Sequence, residues 1–516
     1  MAQRPPAVTA TDQPGVVDVG RLARGGSINL VGAVASAGTN LLITVAVTRT
    51  MSIAQAGAFF TVTSIFLILV ACARLGSGSA LTYFVARLRA TGHPGLVRPC
   101  LRIALAPVVG VSLLMGVVLL VVAEPVAGLL DEQHAGTIAT YLRVLAFALP
   151  FAATSEGVLG ATRGFGAMRP TVVVEKVARP IVQLLGILVL AAVGGAAIVV
   201  AWSFPYVPAV LAGSAWLSHL RRRDHRASRE QRREPTAGLA REYWRFAAPR
   251  AIAALLQVAL QRLDVVLVAV MLGGPASAIY VVSTRLLVLG ALGIQAISMA
   301  VQPQVAAHHA RGEVAAVNLL YRTSTTWLIL ATWPLYVVGA LFAPTVLRLF
   351  GPEYAAGASV LVILAFATML STACGVVDAM LTMAGRPSWI LGNVTLALVV
   401  NVSLNLVLIP RWGIEGAAVA WSASILVNNL RPLLQLYRGL GMHPFGRSLA
   451  LAMVAVLAAY VPVGLCCRLT IGQDLAALLT TVLVGTGILA VTGWHFRDLL
   501  ALRELAGALR RRRAQA

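Results

Sequence analysis

The feature that most constrains this chain is a series of apolar stretches, each long enough to cross a hydrocarbon core of about 30 Å. They fall near 28–48, 56–73, 101–123, 138–160, 171–193 and 196–217, then near 246–272, 276–300, 323–346, 356–381, 388–409, 414–436, 448–467 and 475–494. In lipid every backbone polar group must find its partner inside the chain, so runs of this length become helices. The expected fold class is an all-α polytopic membrane protein with about 14 transmembrane helices. Composition agrees, because 12% of the residues are charged, against about 25% in soluble domains.

The net charge of +22 raises the question of a nucleic-acid partner. Its distribution argues against one. Arginines concentrate in the short loops of one membrane side: Arg87, Arg89, Arg98 and Arg102; Arg163 and Arg169; Arg311 and Arg322; Arg386; Arg431, Arg438 and Arg447; Arg510 to Arg513. The longest basic run, Arg221 to Glu234, lies on that side too, and reads as a solvated linker or as a patch for anionic lipid. The other side carries Glu124, Asp131, Glu132, Glu353 and Asp474 with few arginines. The positive-inside rule then places both termini in the cytoplasm. The first twenty residues hold Pro5, Pro6 and Pro14 but no apolar run, so no cleavable signal peptide is expected. Cys72, Cys100, Cys374, Cys466 and Cys467 lack metal-ligand spacing and read as packing residues.

The segment from Met51 maps onto the segment from Leu272 at an offset of about 221 residues, and Gly195-Ala196-Ala197 maps onto Gly416-Ala417-Ala418. The layout this implies is a disordered tail (1–24), an N-lobe of six helices (25–217), a basic linker (218–245), a C-lobe of six helices (246–436), two added helices (437–496) and a basic tail (497–516). Each repeat has an even number of spans, so the lobes should be related by an axis along the membrane normal.

Within the second repeat, two apolar helices meet at Gly273-Gly274-Pro275, yet one arm carries Arg250, Gln257, Gln261, Arg262 and Asp264 and the other Arg285 and Gln295. Arg250, Gln257, Gln261 and Asp264 fall on one helical stripe, while Arg262 lies off it and either snorkels or reaches another helix. Ionisable groups at this depth are expensive and read as pathway residues. Asn29, Ser36 and Asn40 occupy equivalent places in the first repeat, and Arg74 is equivalent to Gln295. A shared cavity between the lobes or hydrogen bonding within each lobe would explain the pattern. Counted from the turn, Asp264 and Arg285 are level, which predicts an ion pair between them.

Met380 to Ser424 contains Gly385, Asn401, Asn405, Ile409-Pro410, Gly413-Ile414 and Gly416-Ala417-Ala418. This run resembles the signature of oligosaccharide flippases of the MOP superfamily (multidrug, oligosaccharidyl-lipid and polysaccharide exporters). Gly57-Ala58-Phe59, and Asp264 with Gly273 and Ile279-Tyr280, look similar to that family as well. The resemblance implies movement of an undecaprenyl-diphosphate-linked oligosaccharide from the inner to the outer leaflet of a bacterial cytoplasmic membrane. It also implies a V-shaped, partly cationic cavity, no cofactor, and drive from a proton or sodium gradient and the membrane potential. The partners implied are the lipid-linked glycan, membrane lipids, and a polysaccharide polymerase or glycosyltransferases.

Arginine suits a diphosphate because its planar fork binds phosphate bidentately and keeps its charge. Cavity candidates are Arg74, Arg250, Arg262, Arg285, Asn29, Asn40, Gln257, Gln261 and Gln295; Asp264 and Asp378 are candidates for ion coupling. Arg163, Arg169, Lys176 and Arg179 form a candidate cytoplasmic lip, where Glu175 and Arg179 have the i,i+4 spacing of a surface ion pair. Asn401 and Asn405 read as packing residues. Two alternatives remain, a cation-coupled drug exporter of the same superfamily and a membrane polysaccharide polymerase or ligase. The second is disfavoured by outer loops of only about nine to fourteen residues and by the lack of any nucleophile–base spacing.

Overall fold

A computed structural model describes residues 19–227 and 238–500. In chain order the helices are α1 (Val19–Thr50), α2 (Ile53–Ala73), α3 (Ser77–Ala90), α4 (Val97–Val121), α5 (Ala123–Leu130), α6 (Ala135–Gly164), α7 (Arg179–Leu190), α8 (Gly195–Ser203) and α9 (Tyr206–Ala227). A π-helical segment, Thr171–Ala178, runs directly into α7. The second half holds α10 (Leu239–Leu272), α11 (Gly274–Ala310), α12 (Val314–Leu341), α13 (Ala343–Arg348), α14 (Ala358–Ala373), α15 (Val377–Met383), α16 (Pro387–Leu440), α17 (Arg447–Thr470) and α18 (Leu475–His495). No strand occurs among the described residues.

The fourteen expected segments all fall on helix, but fewer are unbroken spans. Eleven helices are long and apolar enough to cross a membrane by length and composition, or twelve when bent α11 is taken as one. Helix α16 is a hairpin. Its backbone leaves helical geometry at Gly413 (φ 58°, ψ −136°), a region in which a side chain is strongly disfavoured. Asn401 donates to the Ser424 hydroxyl at 3.4 Å, and the Asn393 and Gln435 amides bond each other at 2.8 and 3.2 Å, so the two arms run antiparallel. The arms approach so closely that a Cβ on Gly416 would sit 2.3 Å from the Leu408 carbonyl oxygen. Asn405 donates to the Asn401 carbonyl at 2.9 Å, and both amides are fully buried, as packing residues should be.

Helices α1–α9 are taken as the first bundle and α10–α18 as the second, and they join over an extensive face where α2 packs on α10 and α11, α1 on α11, and α10 on α3, α4 and α5. Near the helix ends remote from the arginine-rich face a Cβ on Gly57 of α2 would lie 1.8 Å from the Gly274 carbonyl oxygen. One turn further in, the Thr61 and Ser277 hydroxyls bond at 3.1 Å. Arg49, at the end of α1, donates to the Leu349 carbonyl at 2.9 and 3.0 Å and to that of Arg348 at 3.1 Å. At the arginine-rich face Arg87 pairs with Glu242, and Tyr83 stacks on Phe246 with centroids 4.4 Å apart.

The expected boundaries move. Residues 1–18 of the tail lie outside the described residues, whereas α1 is already helical from Val19, inside the stretch expected to be disordered. Helix α9 continues through Ala227 and α10 starts at Leu239, which shortens the linker. Residues 228–237 and 501–516, with Arg510 to Arg513, are outside the described residues.

Candidate functional site

Tyr206, the first residue of α9, is buried against Phe66 of α2 and Trp202 of α8, with ring centroids 5.8 and 5.9 Å away. Cations gather around this aromatic platform. Arg179 sets its guanidinium 4.8 Å from the Tyr206 ring centre, and Arg74 and Arg262 lie within electrostatic reach of the same phenol. Arg74 ends α2 and pairs with Glu156 of α6, with side-chain exposures of 23% and 33%. Glu175, on the π-helical segment, is within reach of Arg74, Arg163 and Lys176. Arg163 also donates to the Thr171 hydroxyl at 3.5 Å.

The second bundle adds Arg262 and Arg285. The Arg285 guanidinium lies 5.9 Å from the Phe60 ring centre, beside Arg262, and its buried Nε has no hydrogen-bond partner. The Nε of Arg179 is unpartnered too. Among the described residues Arg74, Arg163, Arg179, Arg262 and Arg285 gather here with the carboxylates Glu156, Glu175 and Asp264, five arginines to three carboxylates, and Lys176 stands within reach of Glu175. Unpartnered guanidinium donors and surplus positive charge are what a phosphate group would satisfy.

Two of these cations stand where a helix breaks. Arg74 precedes the α2–α3 junction, where Leu75 has a φ of 50°. Arg285 ends the first segment of α11, which bends by 42° before Leu289.

The expected Asp264–Arg285 ion pair is not formed. The Asp264 carboxylate accepts from the Tyr280 hydroxyl at 2.6 Å and from the Val265 N–H at 2.9 Å. The reason lies in the turn: α10 and α11 join directly through Gly273 (φ 85°), so the residue level with Asp264 is Tyr280. Nor do Glu175 and Arg179 pair. Arg179 turns to the Tyr206 ring, while Glu175 stands within reach of Arg74, Arg163 and Lys176.

The remaining candidates scatter. Arg250 is exposed, lies over the Phe246 ring at 3.6 Å and donates to the Phe246 carbonyl, so it stays near its own helix. Gln257, Gln261 and Gln295 are exposed while Asp264 is buried, so the expected stripe does not face one environment. Asn40 bonds back to the Ser36 carbonyl at 2.7 Å, and the side chain of Asn29 lies outside the described residues. Asp378 is exposed in the first turn of α15, and Arg169 is exposed just before the π-helical segment.

Sequence reasoning overlooked Glu156 and Tyr206, and it gave Tyr280 no role beyond the family resemblance. A lone acid inside the 138–160 span was a legible signal, since an intramembrane carboxylate demands a partner. Tyr206 carried no such mark.

Two packed bundles of helices long and apolar enough to cross a membrane define a multi-pass membrane protein. A family model described as "Polysaccharide biosynthesis protein" matches residues 22–309, and the chain belongs to that family. A second model, "MatE", matches residues 249–407. The chain is 26% identical over 169 residues to the "Probable low-salt glycan biosynthesis flippase Agl15" of Haloferax volcanii, covering 33% of this chain and 36% of that relative. The chain therefore spans about a third of the curated relative it matches. Among solved structures, "Lipid II flippase MurJ, inward closed conformation" superposes with a TM-score of 0.72 at 12% identity, covering 93% of this chain and 100% of that one. An inward-facing multidrug resistance MATE family transporter of the MOP superfamily follows at 0.60 and 15%, covering 78% and 94%. The fold is thus that of the MOP superfamily, as the resemblance implied.

Proposed function

We propose that the protein is a flippase that carries a lipid-linked oligosaccharide, on an undecaprenyl-type diphosphate, from the inner to the outer leaflet of a bacterial cytoplasmic membrane, with both its termini cytoplasmic. The observation that carries this reading is the cation cluster around Tyr206, drawn from both bundles, with unpartnered Nε groups on Arg179 and Arg285. A diphosphate cannot cross the core unaided, and these donors would replace its water. Family membership and the glycan flippase relative support the same substrate class.

In this reading Arg163 and Lys176 receive the headgroup at the cytoplasmic face, and Arg74, Arg179, Arg262 and Arg285 hold it between the bundles. The seam at Gly57 and Gly274 then parts while the seam at Arg87 and Glu242 holds. Asp264, kept by Tyr280, is the coupling acid that exchanges a proton or sodium ion as the bundles move. No covalent step is needed, so the protein acts as a transporter with no cofactor. A polymerase or glycosyltransferase would act before or after it.

The test is reconstitution in proteoliposomes with a fluorescent polyprenyl-diphosphate oligosaccharide under an imposed ion gradient and potential. Movement of that lipid, lost in Arg262→Gln/Arg285→Gln, is expected. Movement of cationic drugs with no effect on the glycolipid would replace this reading with the exporter.

A further inference from the structure

The outer side of the first bundle carries a feature unrelated to the Tyr206 cluster. Helices α4 and α9 both pack on α6 and stand apart from each other, which leaves a groove of about 760 Å³. Leu101, Leu105 and Val109 of α4 form one wall, Leu217 of α9 the other, and Val158 of α6 the floor. At its arginine-rich end lie Arg98, Arg102 and Arg221, with Ser218 beside them. We propose that this groove is a binding site for one anionic glycerophospholipid of the surrounding leaflet, its acyl chain in the slot and its phosphodiester on the three arginines.

Charge complementarity selects the occupant. Arg98 and Arg102 are one turn apart on the same face of α4, and Arg221 faces them from α9. None of the three has a carboxylate partner among the described residues, because the nearby Asp224 is engaged by Arg89 through contacts of 2.9, 3.1 and 3.2 Å. A phosphodiester offers the planar guanidinium forks what Asp224 does not. Length selects it as well. From Arg98 to Gly110 the groove follows twelve residues of α4, roughly 18 Å at 1.5 Å per residue, close to half of a core of about 30 Å. One leaflet's acyl chain has that reach. Apart from Ser214 and Ser218 the slot is apolar along its walls and gives a sugar chain little to bond. The proposal rests on the chain spanning a membrane and on no particular cargo.

Gly110 supplies a clean probe, since a Cβ there would meet nothing within 4 Å and a larger side chain has the groove itself to occupy. The full-length protein would be placed in nanodiscs holding either photoreactive phosphatidylglycerol or photoreactive phosphatidylcholine of the same chains, and the labelled peptides mapped. Phosphatidylglycerol should label α4 between Leu101 and Gly110 at least tenfold more than phosphatidylcholine. That label should vanish in Gly110→Trp and in Arg98→Gln/Arg102→Gln/Arg221→Gln, and fall in wild type as salt is raised. Equal labelling by the two lipids overturns the proposal, as does labelling that persists in Gly110→Trp or is insensitive to salt. A photoreactive polyprenyl diphosphate that displaces phosphatidylglycerol overturns it in favour of a cargo site. If the triple variant does not fold, the Gly110→Trp and salt arms decide. Failed glycolipid flipping with lipid labelling intact would count against the proposed function alone.

Discussion

Tyr280 sets what Asp264 is able to do. A buried carboxylate with two donors is held in place, and a hydrogen bond to a charged group contributes about 1.5–3 kcal/mol. Tyr280→Phe should therefore lower the unfolding midpoint in detergent, whereas Tyr280→Phe in an Asp264→Asn background should lower it much less. Equal losses in both backgrounds would show that the pair is not coupled. Arg285 presents the opposite case. Its Nε is buried and unpartnered, Arg262 lies within electrostatic reach, and a like charge with an unmet donor destabilises its surroundings. Arg285→Met should leave the unfolding midpoint unchanged or raised, while flipping falls by roughly tenfold, equivalent to about 1.4 kcal/mol. Full flipping by this variant would remove Arg285 from the site.

At the scale of elements, the hairpin of α16 and the turn between α11 and α12 make separate predictions. Gly413→Ala forces a side chain into a backbone region costing about 1–3 kcal/mol, so the variant should unfold at a lower temperature and accumulate less in membranes. In the α11–α12 turn, hydrogen bonds from His308 and then Arg311 hold the Glu313 carboxyl below its usual range. Its folded value is depressed, so the support it gives the turn is present above the ordinary glutamate value of about 4.3 and lost as pH falls through the folded one. Amide exchange corrected for intrinsic rate should show Gly312 to Val314 losing protection on acidification, and Glu313→Gln should abolish that change. Much of this level was readable in the sequence. Hydropathy windows marked the helices because burial in lipid is a property of composition, and Pro410 with Gly413 marked a helix end. The partner of Asp264 was not readable, because one residue more or less in the turn at Gly273 decides which side chain stands opposite. Glu175 and Arg179 failed for another reason, since the aromatic partner that Arg179 takes, Tyr206, reaches it only through tertiary packing.

For the whole molecule, the question is how the bundles separate. Thr61 and Ser277 belong to different bundles with hydroxyls 3.1 Å apart. A Thr61→Cys/Ser277→Cys variant should form a disulfide under mild oxidation and stop transport, with activity returning on reduction. Transport that continues through a formed disulfide would rule out separation at this seam. Which cations converge on Tyr206 was invisible beforehand, because residues from α2, α7, α9 and α10 meet only through tertiary packing. The sequence did place Arg74, Arg262 and Arg285 among its candidates on depth alone.

The seam at Gly57 and Gly274 closes on a glycine-to-carbonyl contact, one pair of hydroxyls and an arginine on chain carbonyls. Behind these polar contacts one buried apolar cluster runs from Ala56 and Phe60 of α2 to Val265 and Val268 of α10 and Val281 of α11, so parting the seam exposes apolar surface as well as bonds that water can remake. A door built this way holds itself shut until something favours the parted position. A cargo that favours one position by a few kcal/mol can set its occupancy, and the bilayer, having no such bonds to offer, gains little by wedging it open.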